Sequence, residues 1–327
     1  MSNAPIIAFD YGVLCNLLNS DSTLTPVDFS PYAQKIRAAL AAVGISFQRS
    51  DQPMVLPRPV LEKLDITYRR IPLLAFGKDV YADSSLIIDE LQSRYNALPT
   101  SAADKAYEVF GVQVFASALN IIPTAALTPE FIQDRLTIFP ALANPSYAEL
   151  RPSGLAEMKA KFDIIEHSFL GSSSGPFIGG ETFGLADLHA GWAVGWALKA
   201  IGLGQEPGFS EEDFPRIYQW VASWPKPEYT DISQEQLWDT IKDTAYTADD
   251  IGVDEKDPLG IKARTDVTVE NSDTEAGAHP QKGKLIGANR KEIVIELKNG
   301  IRLHFPRVGY VVKEAKTGGL ASRFGLS

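Results

Sequence analysis

The chain has 327 residues, of which 45% are hydrophobic and 22% charged, with a formal net charge of -10. The length predicts two or three domains, and the negative charge argues against binding to nucleic acid or to an anionic membrane through a general basic field. The single cysteine, Cys15, excludes an intrachain disulfide, a C-x-x-C redox pair and a zinc site made of thiolates.

Metal and membrane signals are also missing from the sequence. The four histidines are far apart and show no ligand spacing, so no metal site is expected. No apolar run is long enough to cross a bilayer, and no basic segment precedes an apolar stretch at the N-terminus. These features favour a cytoplasmic protein.

Apolar runs and amphipathic segments alternate along about the first hundred residues in the order βαβαββα. The best-marked helix is predicted at 31–43, where Ser30 can cap the N-terminus and Pro31 is the first residue. Gly44 is the predicted end of that helix. A hairpin and a helix close the series, which is typical of a thioredoxin-like domain, here placed at residues 1–97.

A segment without clear periodicity, residues 12–28, separates the first strand from the first helix. Loops of this length are uncommon inside a compact domain. Its removal would leave a normal short connection between the two elements. The sequence therefore indicates an insertion, or a segment wrongly included by gene prediction, rather than a catalytic lid.

The apolar residues of segment 98–248 step by three and four, which predicts a helical domain with a shared core. Trp192 and Trp196 lie on one of these helices, and core packing is favoured for them over the lining of a substrate pocket. Asp187, near the start of the same helix, is predicted to accept hydrogen bonds from the helix's own N–H groups and to have a structural role.

Residues 249–327 are predicted to form an acidic linker and a small β-rich module. The acidic residues at 249–257 lack the spacing of an EF-hand and are interpreted as a solvated linker rather than a calcium site. Alternating apolar residues follow, and an Asn-Gly pair at 299–300 predicts a hairpin turn. Arg302 and His304 are expected at exposed strand positions.

The first feature that could take part in a reaction is a hydroxyl at the start of a helix. At Ser30 the helix dipole and the free N–H groups stabilise negative charge. The hydroxyl can donate to a thiolate and lower its pKa. It can also simply cap the helix, and one hydroxyl can do both.

Two further features flank the predicted hairpin. Pro72 follows Ile71 at the position where a thioredoxin-like domain holds a cis bond. A cis bond there would expose the N–H and C=O of Ile71 to an extended peptide. An ordinary trans proline at the start of a strand is the alternative. Asp83 and Ser84 begin a helix, where they can bind an amino-acid head group or only cap the helix. The order and spacing of the three features together are more specific than any one of them.

Three segments of the sequence resemble a known family. FSPYAQKIRAAL, RIPLLAFGKDVYADSSLIIDEL and FIGGETFGLADL resemble the glutathione S-transferase family over about residues 5–225. The tail segment LHFPRVGYVVKEA is similar to that of fungal transferase-like proteins with an additional C-terminal β module. The resemblance implies a thioredoxin-like N-terminal domain, an all-helical domain and a small β-rich module.

The resemblance also implies roles for the residues already singled out. The residue at Ser30 activates the thiol of glutathione, which is the co-substrate. Ile71, before the cis Pro72, pairs with the cysteinyl backbone of glutathione. Asp83 and Ser84 bind its γ-glutamyl group.

Departures from the family pattern leave two roles less defined. Tyr11 ends the first strand, where tyrosine-type members place the catalytic hydroxyl, and it ranks second to Ser30. No lysine precedes Ile71, so Arg69, or else Arg70, is expected to provide positive charge for the glycyl carboxylate.

The function implied by the resemblance is that of a glutathione transferase. The glutathione thiolate would attack a small hydrophobic electrophile by conjugation, or assist isomerisation or elimination, in a pathway of secondary metabolism. A homodimer is expected, with the helix after the hairpin and the first long helix of the helical domain at its interface. The alternative is a non-catalytic scaffold that binds a ligand or another protein.

Overall fold

The structure is a computed structural model, and it describes residues 4–11, 13–15 and 26–315. The strands are β1 (Ile6–Asp10), β2 (Val13–Cys15), β3 (Pro26–Asp28), β4 (Phe47–Asp51), β5 (Leu73–Phe76), β6 (Asp79–Ala82), β7 (Tyr229–Asp231), β8 (Asp266–Asn271), β9 (Gln281–Ala288), β10 (Glu292–Glu296), β11 (Arg302–Pro306) and β12 (Tyr310–Glu314). The α-helices are α1 (Pro31–Ala42), α2 (Pro59–Lys63), α3 (Ser84–Tyr95), α4 (Asp104–Leu119), α5 (Pro129–Arg135), α6 (Tyr147–Ile164), α7 (Leu185–Lys199), α8 (Pro215–Ala222) and α9 (Gln234–Lys242).

The N-terminal part confirms the predicted thioredoxin-like domain. β1 runs parallel to β4 and antiparallel to β5, which forms a hairpin with β6. Ser30 caps α1 by accepting a hydrogen bond from the Ala33 N–H, Pro31 is the first residue of the helix, and Gly44 follows its end with a φ of +72°. Helix α1 therefore begins where the sequence predicts it.

The predicted insertion contains a short ribbon. β2 and β3 pair with each other in an antiparallel two-stranded sheet that, among the described residues, is separate from the main sheet. Residue 12 and residues 16–25 lie outside the described part of the chain. The origin of segment 12–28 stays a prediction.

The helical part packs around α4 and α7. Trp192 and Trp196 on α7 are 2% and 1% exposed, and their rings contact Phe115 of α4 at 5.3 and 5.6 Å between centroids. The indole N–H of Trp196 donates to the carbonyl oxygen of Phe29 at 2.9 Å. Core packing, as predicted, is the main role of these tryptophans, and Trp196 also anchors the residue before the α1 cap.

The start of α7 depends on a buried carboxylate. Asp187 is fully buried and accepts hydrogen bonds from the N–H groups of Gly184 and Ile178 at 2.9 and 2.7 Å. It also accepts one from the indole of Trp220 at 2.8 Å. These contacts fit the structural role predicted for Asp187.

The C-terminal strands continue the thioredoxin-like sheet. β11 pairs in parallel with β6, and the ten strands of the sheet follow the order β12-β8-β9-β10-β11-β6-β5-β1-β4-β7. The hairpin predicted at 299–300 joins β10 to β11, with Gly300 at a φ of +82°. The β-rich region was therefore predicted correctly, and the structure adds its attachment to the edge of the first domain.

The acidic segment between α9 and β8 is held at several points. Asp249 and Asp250 are exposed, but Val253 forms a bridge with Ala288 of β9. The Asp257 carboxylate accepts a hydrogen bond from Arg307 at 2.8 Å. The division of the chain at residue 249 stays a prediction.

His304 corrects the expectation that it lies exposed on its strand. It is 2% exposed, and its ring stacks on Tyr81 of β6 with centroids 4.3 Å apart. Because β11 has joined the larger sheet, the second face of this strand packs against α3 and is not open to solvent. Arg302 is half-buried, with its guanidinium 3.6 Å from the ring centroid of Tyr246.

Candidate functional site

The Ile71–Pro72 peptide bond is cis, as the sequence predicts. Pro72 is buried and Ile71 is half-buried, directly before β5. In the described part of the chain, neither the N–H nor the C=O of Ile71 makes a hydrogen bond. A backbone donor and acceptor thus remain available beside the first domain's sheet, which is the arrangement that binds an extended peptide.

Ser30 lies at the N-terminus of α1 and is 2% exposed. Its hydroxyl oxygen accepts from the Ala33 N–H at 3.3 Å. Among the described residues the hydroxyl proton has no acceptor, so it can donate to a group placed at the helix N-terminus. The capping role is observed, and the thiol-activating role remains compatible with it.

Asp83 and Ser84 lie at the N-terminus of α3. Asp83 has a φ of +73° and a ψ of 133°, which is sparsely populated by residues other than glycine. Its Oδ1 accepts from the Ser85 N–H at 2.9 Å and caps the helix. The Asp83 carboxylate thus lies at the first turn of α3, where a ligand's carboxylate could accept from the free N–H groups and its ammonium group could donate to Asp83.

A buried lysine, which the sequence analysis did not single out, connects α1 to this turn. Lys35 is 2% exposed, and its Nζ lies 3.4 Å from the Ser84 hydroxyl and 5.5 Å from the Trp192 ring. Burial lowers the pKa of Lys35, and the carboxylates of Glu108 and Asp83 oppose that shift. The position of Lys35 makes the turn around Ser84 more positive.

The two arginines before Ile71 have different surroundings. Arg69 is 5% exposed and binds the Asp134 carboxylate at 2.9 Å and the Thr137 hydroxyl at 2.8 Å. It therefore connects the first domain to α5. Arg70 is half-buried and pairs at 2.7 Å with Asp273, an exposed residue of the β8–β9 connection.

Tyr11 and Tyr32 are the two tyrosines near the start of α1. Tyr11 follows β1, and its ring lies 5.8 Å from the guanidinium of Arg135. Tyr32, which was not predicted as a site residue, packs 4.5 Å from Trp192. Burial, followed by the charge of Asp83, raises the pKa of the Tyr32 hydroxyl, so the phenol keeps its proton at neutral pH.

The C-terminal strands also reach the predicted site. The Tyr310 hydroxyl donates to Asp83 Oδ2 at 3.2 Å. Gln281 of β9 accepts hydrogen bonds from the N–H groups of Thr67 and Tyr68, at 2.7 and 3.0 Å. No local sequence signal marks these contacts, because the partners are more than two hundred residues apart.

A cleft of about 430 Å³ lies elsewhere, between α1, α7 and the segment after α8. Its walls include Gln34, Trp192 and Trp224, but none of the residues predicted for the thiol site. This cleft is therefore distinct from the predicted site.

The described residues contain no group of three or more His, Cys, Asp or Glu side chains arranged to hold a metal ion, and no helix in the same residues is long and apolar enough to span a bilayer.

Family models match two parts of the chain. Residues 24–99 match the glutathione S-transferase N-terminal domain, and residues 117–229 match a domain of unknown function (DUF7962). The first match contains every predicted site residue except Tyr11.

Curated relatives and a solved structure cover more of the chain. Glutathione S-transferase U3 and U4 of Arabidopsis thaliana are 23% and 22% identical over 202 and 201 residues, which is 59% of this chain and 80% of each relative. A GST-like protein from Pseudomonas syringae has a similar fold, with a TM-score of 0.63 and 20% identity over 95% of this chain and all of that one. Because that likeness extends over 95% of the chain, it includes most of the C-terminal β region. The chain thus has a glutathione S-transferase-like fold.

Proposed function

We propose that the protein binds glutathione and presents its thiolate to a second substrate. The observation that carries the proposal is the unpaired backbone of Ile71 beside β5, together with the capped N-termini of α1 and α3. Leu73, two residues after Ile71, pairs with Ala82 just before Asp83, and Lys35 of α1 lies 3.4 Å from the Ser84 hydroxyl. The names of the curated relatives support glutathione as the ligand.

The predicted residues at the two helix N-termini have defined tasks in this proposal. The Ser30 hydroxyl donates to the thiolate and stabilises it at the N-terminus of α1. Asp83 and Ser84 bind the γ-glutamyl head group. Tyr11 stays the second candidate for the thiol hydroxyl, although its ring lies beside Arg135.

The glycyl carboxylate needs a positive charge, and Arg70 is the better candidate for it. Arg69 is nearly fully buried and already bound to Asp134 and Thr137. Arg70 is half-buried and has only a single exposed partner, Asp273, among the described residues. Exchange of that partner for a ligand carboxylate costs little, because exposed ion pairs are weak.

The reaction proposed is the transfer of glutathione to a small hydrophobic electrophile. The thiol loses its proton, the thiolate sulfur forms a bond to the electrophilic carbon, and the leaving group or the displaced electron pair takes up a proton. Isomerisation or elimination would use the same thiolate.

A cytoplasmic homodimer acting in secondary metabolism, in a fungal group with this β module, completes the proposal. The non-catalytic scaffold is not favoured, since the curated relatives are named as transferases.

A binding experiment tests the site directly. Asp83→Asn keeps an oxygen that can cap α3 but removes the charge that would bind the ligand's ammonium group. In isothermal titration calorimetry we expect glutathione to bind the wild-type protein and to bind this variant at least tenfold more weakly, since a charge-assisted hydrogen bond contributes about 1.5–3 kcal/mol.

Asp239→Asn is the matched control, because Asp239 is an exposed residue of α9. It should bind glutathione as the wild type does. Equal binding by the Asp83 and Asp239 variants would place the ligand elsewhere, and no binding by the wild type would remove the proposed function.

A further inference from the structure

The C-terminal β region reaches the proposed glutathione site through a pair of hydroxyls. The hydroxyl oxygens of Tyr68 and Tyr310 are 2.7 Å apart, and Tyr310 donates to Asp83 Oδ2 at 3.2 Å. Since Tyr310 uses its proton on Asp83, Tyr68 is the donor in the first bond. The Asp83 carboxylate is thus the end of a chain of hydrogen bonds that begins in the first domain and passes through the last strand.

Burial keeps both hydroxyls protonated. Tyr68 is 3% exposed, and Tyr310 packs against Phe305 and Tyr68 with ring centroids 5.4 and 6.2 Å apart. Burial raises the pKa of Tyr310, and so do the neighbouring Tyr68 and Asp83. The Tyr310 hydroxyl is therefore a constant donor to Asp83 over the physiological pH range.

The sheet register fixes where Tyr310 lies. Tyr310 pairs with Asn271 at the end of β8, and Gly309 before it has a φ of +88°. Gln281, at the start of β9, holds the other side of the same region by accepting from Thr67 and Tyr68 and donating to the carbonyl oxygen of Asp65 at 3.1 Å. Strands β8, β9 and β12 are consequently bound to the residues that precede the cis proline.

The two carboxylate oxygens of Asp83 have separate partners. Oδ1 accepts from the Ser85 N–H within α3, and Oδ2 accepts from Tyr310. A carboxylate oxygen has two lone pairs, so each can still accept a bond from a ligand's ammonium group. With both oxygens held, the carboxylate loses its rotational freedom before the ligand arrives, which favours binding.

We propose that Tyr310 is a positioning residue of the glutathione site, which holds the Asp83 carboxylate in place for the ammonium group of the γ-glutamyl moiety. The inference rests on the proposed function. It makes the C-terminal β region part of the site, although none of the family features that point to glutathione lies in this region.

The test compares two ligands on two variants. Tyr310→Phe removes the hydroxyl and keeps the ring that packs on Phe305 and Tyr68. Tyr246→Phe is the matched control, since its hydroxyl donates to the Gly300 carbonyl oxygen, at the other end of the joint between β6 and β11. The ligands are glutathione and glutaryl-cysteinylglycine, which is glutathione without the ammonium group.

If Tyr310 acts through Asp83, Tyr310→Phe should weaken glutathione binding about tenfold and leave the affinity for glutaryl-cysteinylglycine unchanged. Tyr246→Phe should change neither. Equal weakening for both ligands would show a merely structural role, and unchanged or tighter glutathione binding would show that Tyr310 is neutral or blocks the site. Each of these results overturns the inference alone, whereas a wild-type protein that binds neither ligand overturns the proposed function as well.

Discussion

The imidazole of His304 lies 3.2 Å from the carboxylate of Asp79, across the boundary at which β11 joins β6. The other ring nitrogen lies 2.9 Å from the Glu292 carboxylate on β10. Asp79 also accepts from the N–H groups of Thr247 and Ala248, which follow α9. One buried imidazole thus connects the thioredoxin-like sheet to the C-terminal strands.

The pH dependence of this joint follows from the pKa directions. Burial lowers the pKa of His304, but the hydrogen bonds to Asp79 and Glu292 outweigh it, and the pKa is raised overall. Burial raises the pKa of Asp79, but the bonds from His304 and from the backbone lower it overall. The stabilisation by His304 is therefore complete below about pH 6.5, its unfolded pKa, and is lost as the pH rises through the folded value. The stabilisation by Asp79 is present above about pH 3.8 and is lost as the pH falls.

We expect the urea midpoint of the wild-type protein to fall as the pH is raised from 6 to 9 by more than that of His304→Gln, which has no titrating ring. Urea unfolding at a series of pH values, for both proteins, measures this difference. Parallel curves would mean that His304 is neutral in the folded protein.

Ser30 is expected to control the acidity of the bound thiol. Ser30→Ala should raise the pKa of bound glutathione by about one unit, which corresponds to about 1.4 kcal/mol. The ultraviolet absorbance of the thiolate, followed during a pH titration, gives that pKa. Ser233→Ala is a matched control, because Ser233 caps α9 in the same way, by accepting from the Gln236 N–H at 3.3 Å. An unchanged titration in the Ser30 variant would make Tyr11 the candidate for the thiol hydroxyl.

Asp187 is expected to be essential for stability. Asp187→Asn would turn an amide N–H toward the buried donors of Ile178, Gly184 or Trp220, and a buried unpaired donor costs about 1–3 kcal/mol. We expect the free energy of unfolding to fall by about 2 kcal/mol, measured by urea denaturation. A loss of catalysis without a loss of stability would instead make Asp187 a functional residue.

Dimer formation is expected to depend on α4. Val109 and Val112 are 59% and 46% exposed on that helix, whereas Tyr107 and Phe110 of the same helix pack against Phe169 within the chain. Sedimentation velocity at micromolar concentration should show a dimer for the wild type and a monomer for Val109→Asp.

Val308→Asp is the control for that experiment, since Val308 is 85% exposed on the connection between β11 and β12. It should remain dimeric. A monomeric wild-type protein would remove the homodimer from the account.

Local signals in the sequence predict helix ends and hairpin turns well. Ser30, Pro31 and Gly44 are specified by the backbone requirements of the two helix ends, and all three occupy the positions expected for α1. The Asn-Gly turn at 299–300 likewise fixes the β10–β11 hairpin. Such features depend on residues only a few positions apart, so a single sequence carries them.

Contacts between distant segments could not be predicted in this way. The pairing of β11 with β6, the bond between Tyr310 and Asp83 and the burial of His304 all depend on where the C-terminal strands attach. Alternation of apolar and polar residues along β11 indicates a strand but not which sheet edge it joins. The expectation that His304 is exposed was wrong for that reason. The pairing of Arg69 with Asp134 likewise could not be predicted from the sequence.

The most direct test of the central claim is proton release when glutathione binds. Calorimetric titrations at neutral pH in two buffers with different ionisation enthalpies count the protons released per ligand bound. If the site ionises the thiol beside Ser30, proton release should be close to one per bound glutathione and close to zero for S-methylglutathione, which has no thiol proton. Binding of both ligands without proton release, or no binding of glutathione at all, would contradict the account.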